Sequence, residues 1–365
     1  MKIAIISELF YPHLGGQEIR YYELGKHFVC QGNKVDIYTI NYSKELKTYE
    51  EIKNIRVFRI VSSFNYLNSI WGSRNLSAII RFTLKLLSIR NLLTRYDVII
   101  FNKWPIIPPI VIPFFIKCKC IVDWCEIRTS KIWKMIYKLM ASKKIKHITV
   151  NSDISDYLVT KHKLNVKNVK TVLSGIDFNN YNKNVSIKKD KNLLFFGRLA
   201  QHKNPVLLLE SFISQNLDKE GYTLHIAGGG PLLNYIKTNF GNNDNIKIYG
   251  NINDEMKYKL LEESSLLILP SKREGFPRVI AEAAASGTPT LTTICEGNGS
   301  VSVVKEYQLG WVCYDNMKSL GLAMKEKGII NEEWNIISNN CRLQAANNFD
   351  WPIITNNLLN FIGEL

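Results

Sequence analysis

The stretch EGFPRVIAEAAASGTP, residues 274–289, contains two glutamates eight positions apart around a run of small residues. The alanines at 283–285 and their apolar neighbours predict a closely packed helix, preceded by a Gly-Phe-Pro loop. Glu274 then lies in the loop, and Glu282 lies about one turn inside the helix. Both carboxylates can point into one pocket, where each can accept hydrogen bonds from a pair of vicinal hydroxyls.

A simpler interpretation of the two acids is also open, because acidic side chains on a helix are usually solvated. The setting favours a binding site. N–H groups at the start of the helix lie beside the carboxylates and can receive a phosphate.

Short apolar runs separated by helical patterns extend through both halves of the chain. They lie at residues 2–7, 34–40, 57–61, 98–101, 120–123, 147–150, 192–196, 223–227, 246–249, 266–269 and 290–292. Strands separated by helices form parallel sheets, so we predict two α/β, Rossmann-like doubly wound domains with a cleft between them. Their predicted bounds are 1–175 and 192–348, joined by a polar, lysine-rich linker at 176–191.

The beginning of the sequence and its cysteines bear on location. Residues 1–6 run directly into an apolar strand without the features of a signal peptide, which predicts a cytoplasmic protein. The apolar stretch 98–116 contains four prolines, and we interpret it as a strand followed by an irregular helix rather than a membrane span.

Seven cysteines without a secretory signal predict reduced thiols. The cluster of Cys118, Cys120 and Cys125 lacks the spacing of a zinc site, and we predict no metal.

Three further motifs follow predicted strands. Gly15 and Gly16 precede a helix, where a tight turn can present N–H groups to a phosphate or sugar, or can serve only as a connection. Arg198 and Lys203 are two cations at a strand end, which suits a diphosphate or a solvated basic turn. The glycines 228–230 bring the backbone close to either a nucleotide or the neighbouring strand. Neither the dinucleotide fingerprint nor the P-loop pattern is present.

In this order, and over nearly the whole chain, the four motifs resemble the retaining family 4 glycosyltransferases of the GT-B fold, the glycosyl transferases group 1. The resemblance implies two Rossmann-like domains facing each other across a cleft. It also implies a terminal helix at 349–365 that returns to the N-terminal domain. The implied reaction moves a hexose from a nucleoside diphosphate sugar, with a UDP-sugar favoured, and retains the anomeric configuration. The acceptor is a lipid-linked sugar or polysaccharide of bacterial-type surface synthesis, and no cofactor is needed.

By that resemblance, Arg198, Lys203 and Glu274 are the catalytic residues. The two cations hold the donor diphosphate, and Glu274 holds hydroxyls of the transferred sugar. Glu282 holds the ribose hydroxyls. Further substrate contacts are implied at Gly15, Gly16, Gly229, Phe276, Pro277, Arg278 and Val279.

Two of the places where the sequence departs from the family bear on the predicted contacts. Pro277 lacks the main-chain N–H that a glycine often provides there. Residues 123–126 fall where many members carry a histidine near the reacting sugar, and Cys125 occupies its place. Asp123 and Glu126 remain as candidate acceptor contacts.

The excess of positive over negative charge lies entirely in the first half of the chain. Residues 1–175 contain 28 Lys and Arg against 12 acids, whereas residues 176–365 contain 19 against 20. The N-terminal domain is therefore expected to face an anionic surface or substrate. Basic and apolar residues at helical spacing at 74–93 and 132–140, followed by Lys143, Lys144 and Lys146, fit an interfacial helix on an anionic membrane. They fit a core helix with a solvated basic face equally well.

Two other functions remain open from the sequence. A nucleic-acid-binding protein fits the basic charge, but it gives no purpose to the two glutamates. A related GT-B enzyme, such as a nucleotide-sugar epimerase or a phosphorylase, needs no lipid acceptor. We favour a glycosyltransferase that is cytoplasmic or peripheral on the inner face of the membrane, and that binds no nucleic acid.

Overall fold

Two β-sheets, one in each half of the chain, organise this computed structural model, which describes residues 1–13, 15–67, 74–127, 131–140, 145–181 and 190–364. The chain divides into one unit of Met1–Leu173 with Ile354–Leu365, and a second unit of Ser174–Ile353. The described residues of the predicted linker belong to the second unit, and residues 182–189 lie outside the described residues.

The first unit contains an eight-stranded sheet in the order β3-β4-β2-β1-β5-β6-β7-β8, in which only β3 and β4 pair antiparallel. Continuous apolar runs form its centre because both faces are covered, as in other parallel sheets. The strands are β1 (Lys2–Ile6), β2 (Lys34–Asn41), β3 (Tyr49–Ile52), β4 (Ile55–Ser62), β5 (Val98–Asn102), β6 (Lys119–Trp124), β7 (Lys146–Thr149) and β8 (Val169–Thr171).

In the described part of this unit, six α-helices lie between the strands. Asn75 and Asn151 cap two of them, each by accepting a hydrogen bond from a main-chain N–H of the first turn. The helices are α1 (Gly16–Cys30), α2 (Leu76–Ser88), α3 (Arg90–Leu93), α4 (Ile107–Val111), α5 (Lys131–Met140) and α6 (Ser152–His162), with 3-10 turns at Ile112–Phe114 and Val166–Asn168.

The second unit contains an all-parallel sheet in the order β11-β10-β9-β12-β13-β14, the doubly wound arrangement. Its strands are β9 (Asn192–Phe196), β10 (Thr223–Ala227), β11 (Ile246–Gly250), β12 (Leu266–Leu269), β13 (Thr290–Ile294) and β14 (Gly310–Tyr314). Its helices are α7 (Pro205–Ser214), α8 (Leu233–Phe240), α9 (Asp254–Glu263), α10 (Arg278–Ala285), α11 (Ser300–Glu306), α12 (Met317–Lys327) and α13 (Glu332–Gln344), followed by a π-helix at Ala345–Phe349.

The last helix, α14 (Trp351–Gly363), begins in the second unit and ends in the first. Gln31 Nε2 donates to Thr355 Oγ1 at 3.1 Å, and Lys119 Nζ donates to the carbonyl of Ile362 at 3.3 Å. The ammonium of Lys146 lies 4.6 Å from the ring centre of Phe361. Lys146, predicted to face a membrane, therefore contacts α14, and Lys143 and Lys144 lie outside the described residues.

The parallel α/β class of both halves is confirmed, and each predicted apolar run corresponds to a strand. Residues 98–116 form β5, α4 and a 3-10 turn, as predicted. In the parts of the chain that the structure describes, no helix has both the length and the apolar character needed to cross a membrane.

The glycine turn at 228–230 approaches the backbone of the neighbouring loop. Gly228 and Gly230 adopt positive φ angles of 132° and 150°. A Cβ on Gly228 would lie 1.9 Å from the carbonyl oxygen of Gly197. Leu199 N donates to the carbonyl of Gly229 at 2.8 Å. The turn therefore packs against the loop that follows the neighbouring strand β9, and a nucleotide contact at Gly229 stays a prediction.

Gly228→Ala is expected to destabilise the second unit by roughly 3–4 kcal/mol, because backbone atoms cannot move away from the added methyl group. Gly221→Ala is the matched control: Gly221 has a φ of 81°, but open space surrounds the Cβ position. Its cost should be roughly 1 kcal/mol. Urea unfolding of both variants measures the difference, and equal losses would contradict the steric explanation.

Candidate active site

The adjacent strands β9 and β12 carry the candidate site at their carboxyl ends. Strand order in the second sheet reverses between them. Ligands of doubly wound sheets bind in the crevice outside the carboxyl ends at such a reversal. Arg198 and Lys203 follow β9, and Glu274 follows β12. The topology therefore brings the loops of the two predicted motifs to one edge of the sheet.

The loop after β9 presents its two cations differently. Arg198 is exposed, whereas the side chain of Lys203 is 19% exposed. Lys203 ends a 3-10 turn, after which Asn204 adopts a left-handed conformation and Pro205 begins α7. Lys203 N donates to the carbonyl of Ala200 at 2.9 Å, so the turn itself orients the side chain.

Lys203 and Glu274 form an ion pair, in which the ammonium of Lys203 donates to Oε1 of Glu274. The Glu274 side chain is 11% exposed. Its main chain is held on both sides by the loop after β13: Glu274 N donates to the carbonyl of Gly297 at 3.0 Å, and Gly299 N donates to the carbonyl of Glu274 at 2.9 Å. This loop was missed in the sequence, although its Gly-Asn-Gly after a strand is a turn signal.

Glu282 lies on α10 at 4% exposure and is surrounded by cations. Its Oε1 is 3.4 Å from Nη2 of Arg278 and 3.5 Å from Nζ of Lys257. The hydroxyl of Tyr181 also bonds the carboxyl group, and burial, followed by the charge of Glu282, raises the pKa of Tyr181. Burial lowers the pKa of Lys257, but Glu282 and Asp254 outweigh it and raise the net value.

Arg278 has two buried hydrogen-bond donors without a partner among the described residues. Its Nε and Nη1 atoms are inaccessible to solvent and have no hydrogen-bond partner among the described residues. Buried donors without partners are unfavourable. Oxygen atoms of a ligand can therefore accept hydrogen bonds from these two N–H groups of Arg278, the residue that follows Pro277.

The other predicted binding residues of this unit lie in loops or at the start of α10. The ring of Phe276 packs edge-on against Phe349, with centroids 6.0 Å apart, and Val279 is 9% exposed. Pro277 precedes α10, and its carbonyl accepts from Ile280 N at 2.9 Å. A Cβ on Gly229 would lie 2.4 Å from the amide oxygen of Asn251, so a larger residue there would require the Asn251 side chain to move.

A cavity of about 970 Å³ lies beside the Lys203 turn. Burial, followed by the nearby charge of Lys203, lowers the pKa of His202 on its wall, so this imidazole is neutral at pH 7. None of the described residues of its wall is acidic, which favours an anionic or neutral ligand. These residues are Gln201, His202, Asn204, Pro205, Val206, Leu232, Tyr235, Lys272 and Arg273.

In the first unit, Gly15 immediately precedes α1 and Gly16 begins it. Glu18 folds back over this helix start: a Cβ on Gly15 would lie 2.2 Å from Oε2 of Glu18. The carboxylate is buried and lies 3.5 Å from Nδ1 of His13. Glu18 thus already supplies the negative charge that a helix N-terminus favours. Apart from its own helix and chain neighbours, no described residue comes within 4 Å of a Cβ built at Gly16, and Gly16 is exposed.

Asp123, at the end of β6, is fully buried against Arg20 of α1. Arg20 Nε donates to Oδ2 of Asp123 at 2.8 Å, and the guanidinium also donates to the carbonyls of Leu173 and Val172 at 2.6 and 2.9 Å. The prediction that Asp123 contacts an acceptor does not fit this geometry, because its carboxylate holds a buried arginine. The sequence contained no local signal for this pair.

Cys125 and Glu126 follow in the same loop. Burial, followed by the charge of Asp123, raises the pKa of the Cys125 thiol, so it is protonated at neutral pH and cannot replace a basic histidine. The ammonium of Lys103 donates to the carbonyl of Glu126 at 2.5 Å. The side chain of Glu126 is half-buried and remains a candidate contact. The described residues contain no cluster of three metal-ligating side chains.

The comparison of residues 177–339 with known families gives one decisive match, to the family described as "Glycosyl transferases group 1". This half of the chain belongs to that family. The match covers the strands and loops that carry Arg198, Lys203, Glu274 and Glu282.

Relatives of this glycosyltransferase include proteins of surface polysaccharide synthesis. An uncharacterized glycosyltransferase of Methanocaldococcus jannaschii, MJ1607, is 23% identical over 99% of the chain and 97% of its own length. The capsular polysaccharide biosynthesis glycosyltransferase CapH of Staphylococcus aureus is 28% identical over 47% of the chain and 48% of its own. An Escherichia coli UDP-Gal:alpha-D-GlcNAc-diphosphoundecaprenol alpha-1,3-galactosyltransferase is 30% identical over 42% and 40%.

Solved glycosyltransferase structures share the whole fold. Sucrose-phosphate synthase from Thermosynechococcus elongatus superposes with a TM-score of 0.76 at 16% identity, covering 100% of this chain and 98% of that one. Anabaena HepE, in complex with UDP-glucose, gives a TM-score of 0.75 at 16% identity, with both chains fully covered. The predicted GT-B fold is confirmed.

Asp123→Ala in this glycosyltransferase should destabilise the first unit by roughly 3–5 kcal/mol, because it leaves the buried guanidinium of Arg20 unpaired. The double variant Arg20→Met with Asp123→Leu removes both charges and should regain most of that loss. Thermal unfolding of the three proteins measures this. An unchanged midpoint for Asp123→Ala, together with reduced transfer, would instead indicate a substrate contact.

Proposed function

We propose that this glycosyltransferase is a retaining family 4 enzyme that transfers a hexose from a nucleoside diphosphate sugar, with a UDP-sugar favoured. The proposed acceptor is a lipid-linked sugar or a growing surface polysaccharide. The observation that carries the proposal is the Lys203–Glu274 pair, placed beside the exposed Arg198 at the strand reversal of the second sheet.

The ion pair suggests how donor binding prepares the site. In the structure, the charge of Lys203 is neutralised by Glu274. A diphosphate carries more negative charge than one carboxylate and competes for the ammonium. Once Lys203 turns to the diphosphate, the Glu274 carboxylate is released to accept hydrogen bonds from hydroxyls of the sugar. Donor binding and sugar recognition are thereby linked.

In the proposed reaction, the bond between the anomeric carbon and the diphosphate oxygen breaks, and the electron pair stays on the diphosphate. Arg198 and Lys203 stabilise this developing charge. The acceptor hydroxyl forms the new bond on the same face and loses its proton to the departing diphosphate. This path requires no base from Cys125, whose thiol is protonated at neutral pH.

The surroundings of Glu282 support a second part of the donor site. Its carboxylate can accept bonds from ribose hydroxyls, while the unpartnered Nε and Nη1 of Arg278 can donate to phosphate or sugar oxygens. Phe276, Pro277 and Gly229 would line this site through their backbone, and Gly16 would approach the donor through its own. No acceptor contact is proposed for Asp123.

Relatives and neighbours support the choice of substrates. The names of the galactosyltransferase relative and of the HepE complex contain a uridine nucleotide sugar, which favours UDP-linked donors here. The same galactosyltransferase acts on a diphosphoundecaprenol-linked acceptor, and a Campylobacter jejuni relative, 30% identical over half of the chain, acts on another. A lipid-linked acceptor is the natural extension.

Lys203→Ala is expected to lower kcat/KM by about 100-fold or more, since it removes a cation from the leaving group and leaves Glu274 unpaired. Glu274→Ala should lower it by a similar factor. The control is Lys325→Ala, which removes one partner of an exposed pair with Glu220 in the same unit and should leave transfer unchanged. Full transfer by the Lys203 or Glu274 variant would exclude the proposed site.

A panel of UDP-, GDP- and ADP-sugars should identify the donor by thermal shift. At a concentration 100 times its Kd, a bound donor stabilises the protein by about 2.7 kcal/mol. We expect a UDP-sugar to give the largest shift and Lys203→Ala to lose it. Consumption of donor without a glycosylated product would favour an epimerase or phosphorylase instead.

A further inference from the structure

Helix α5 carries three separate faces. Tyr137 and Met140 are fully buried against the first unit. Ile132, Met135 and Leu139 are 68%, 63% and 57% exposed, although each is a large apolar residue. The helix contains no acidic residue. Its three lysines are also exposed: Lys131, Lys134 and Lys138.

Helical geometry places these residues in stripes. At about 100° per residue, positions 132, 135 and 139 fall on one side of the helix, and 131, 134 and 138 form a neighbouring side. Both stripes face away from the buried one. A surface helix of a globular protein normally turns its apolar face inward and leaves a polar face outside. Here a second apolar stripe lies outside, bordered by lysines.

The elements that pack near α5 also carry exposed apolar residues. α4 contacts both α2 and α5. On α2, Leu76, Ile80 and Leu84 are 62%, 45% and 59% exposed, at the spacing of a single face. Directly after α4, Phe114 and Phe115 are 70% and 56% exposed. These eight residues of α2, the segment after α4, and α5 form what we call the apolar helix layer. Contiguous exposed apolar surfaces mark interaction sites.

We propose that the apolar helix layer docks the first unit onto an anionic phospholipid bilayer, with the α5 stripe inserted at the head-group boundary. Apolar side chains enter the boundary, while the lysine stripe contacts phosphate groups, the arrangement of interfacial helices. A second copy of the chain fits less well. A twofold contact through α5 would bring two lysine stripes together without any acid on the helix to balance them. The docking itself does not depend on the proposed function. Only its purpose, to bring the enzyme to a lipid-linked acceptor, rests on that function.

Vesicle co-sedimentation tests the docking. The full chain should bind vesicles containing phosphatidylglycerol and phosphatidylcholine, and should bind pure phosphatidylcholine at least tenfold more weakly. The triple variant Ile132→Gln, Met135→Gln, Leu139→Gln should lose at least tenfold of the binding. Lys131→Gln, Lys134→Gln, Lys138→Gln should remove the preference for anionic lipid.

The matched control is Ile336→Gln with Leu343→Gln on α13. These residues are 65% and 57% exposed, as on α5, but they lie on a helix without lysine in the second unit. Vesicle binding of the control should stay within twofold of the parent chain. Because the substituted side chains are exposed, we expect every variant to keep its fold. Thermal unfolding of each variant checks this.

Several outcomes would overturn the docking. Unchanged vesicle binding of the apolar triple variant, or equal loss in the α13 control, excludes α5 as the inserted helix. A dimer in solution that the same triple variant converts to a monomer would assign the surface to a second copy. The donor-induced thermal shift is measured on the same proteins. A parent chain that shows the donor-induced shift but does not bind anionic vesicles would contradict the docking and leave the proposed function standing. A parent chain that binds vesicles but shows no shift would do the reverse.

Discussion

The candidate site depends on a close approach of two backbones in the second unit. The turn at 228–230 lies against residues 197–199 so closely that a single methyl group on Gly228 would overlap a carbonyl oxygen. Hydrogen bonds from Gly197 and Leu199 to Ala227 and Gly229 fix that approach. The loop after β9 therefore leaves the sheet in one direction, and this direction determines where Arg198 and Lys203 can reach. Glycine is required here for the architecture of the site.

Much of the fold could be predicted because parallel strands covered on both faces are continuous apolar runs. The three missed strands lack that signal. β3 alternates exposed and half-buried residues at the sheet edge, β8 has three residues with a lysine in the middle, and β14 begins with a glycine. Their pairing with a neighbour makes them strands. Composition alone does not.

The candidate site also has a part that could be predicted from the sequence and a part that could not. Motifs local in sequence identified Lys203, Glu274 and Glu282, whose loops the strand order brings to one edge. The contacts that decide their chemistry are not local. Lys203 meets Glu274 across 71 positions, and Arg20 meets Asp123 across 103. A sequence pattern can assign Asp123 to a familiar place, but only the fold reveals that an arginine from another helix already occupies its carboxylate.

Helix α14 has a consequence for the order of synthesis. It completes the first unit through Gln31, Lys119 and Lys146, yet it follows the whole second unit in the chain. On the ribosome, residues 1–173 emerge before the helix that belongs to the same unit. The first unit is therefore incomplete while the second unit is being translated. Completion of the first unit thus depends on residues that are translated after the second.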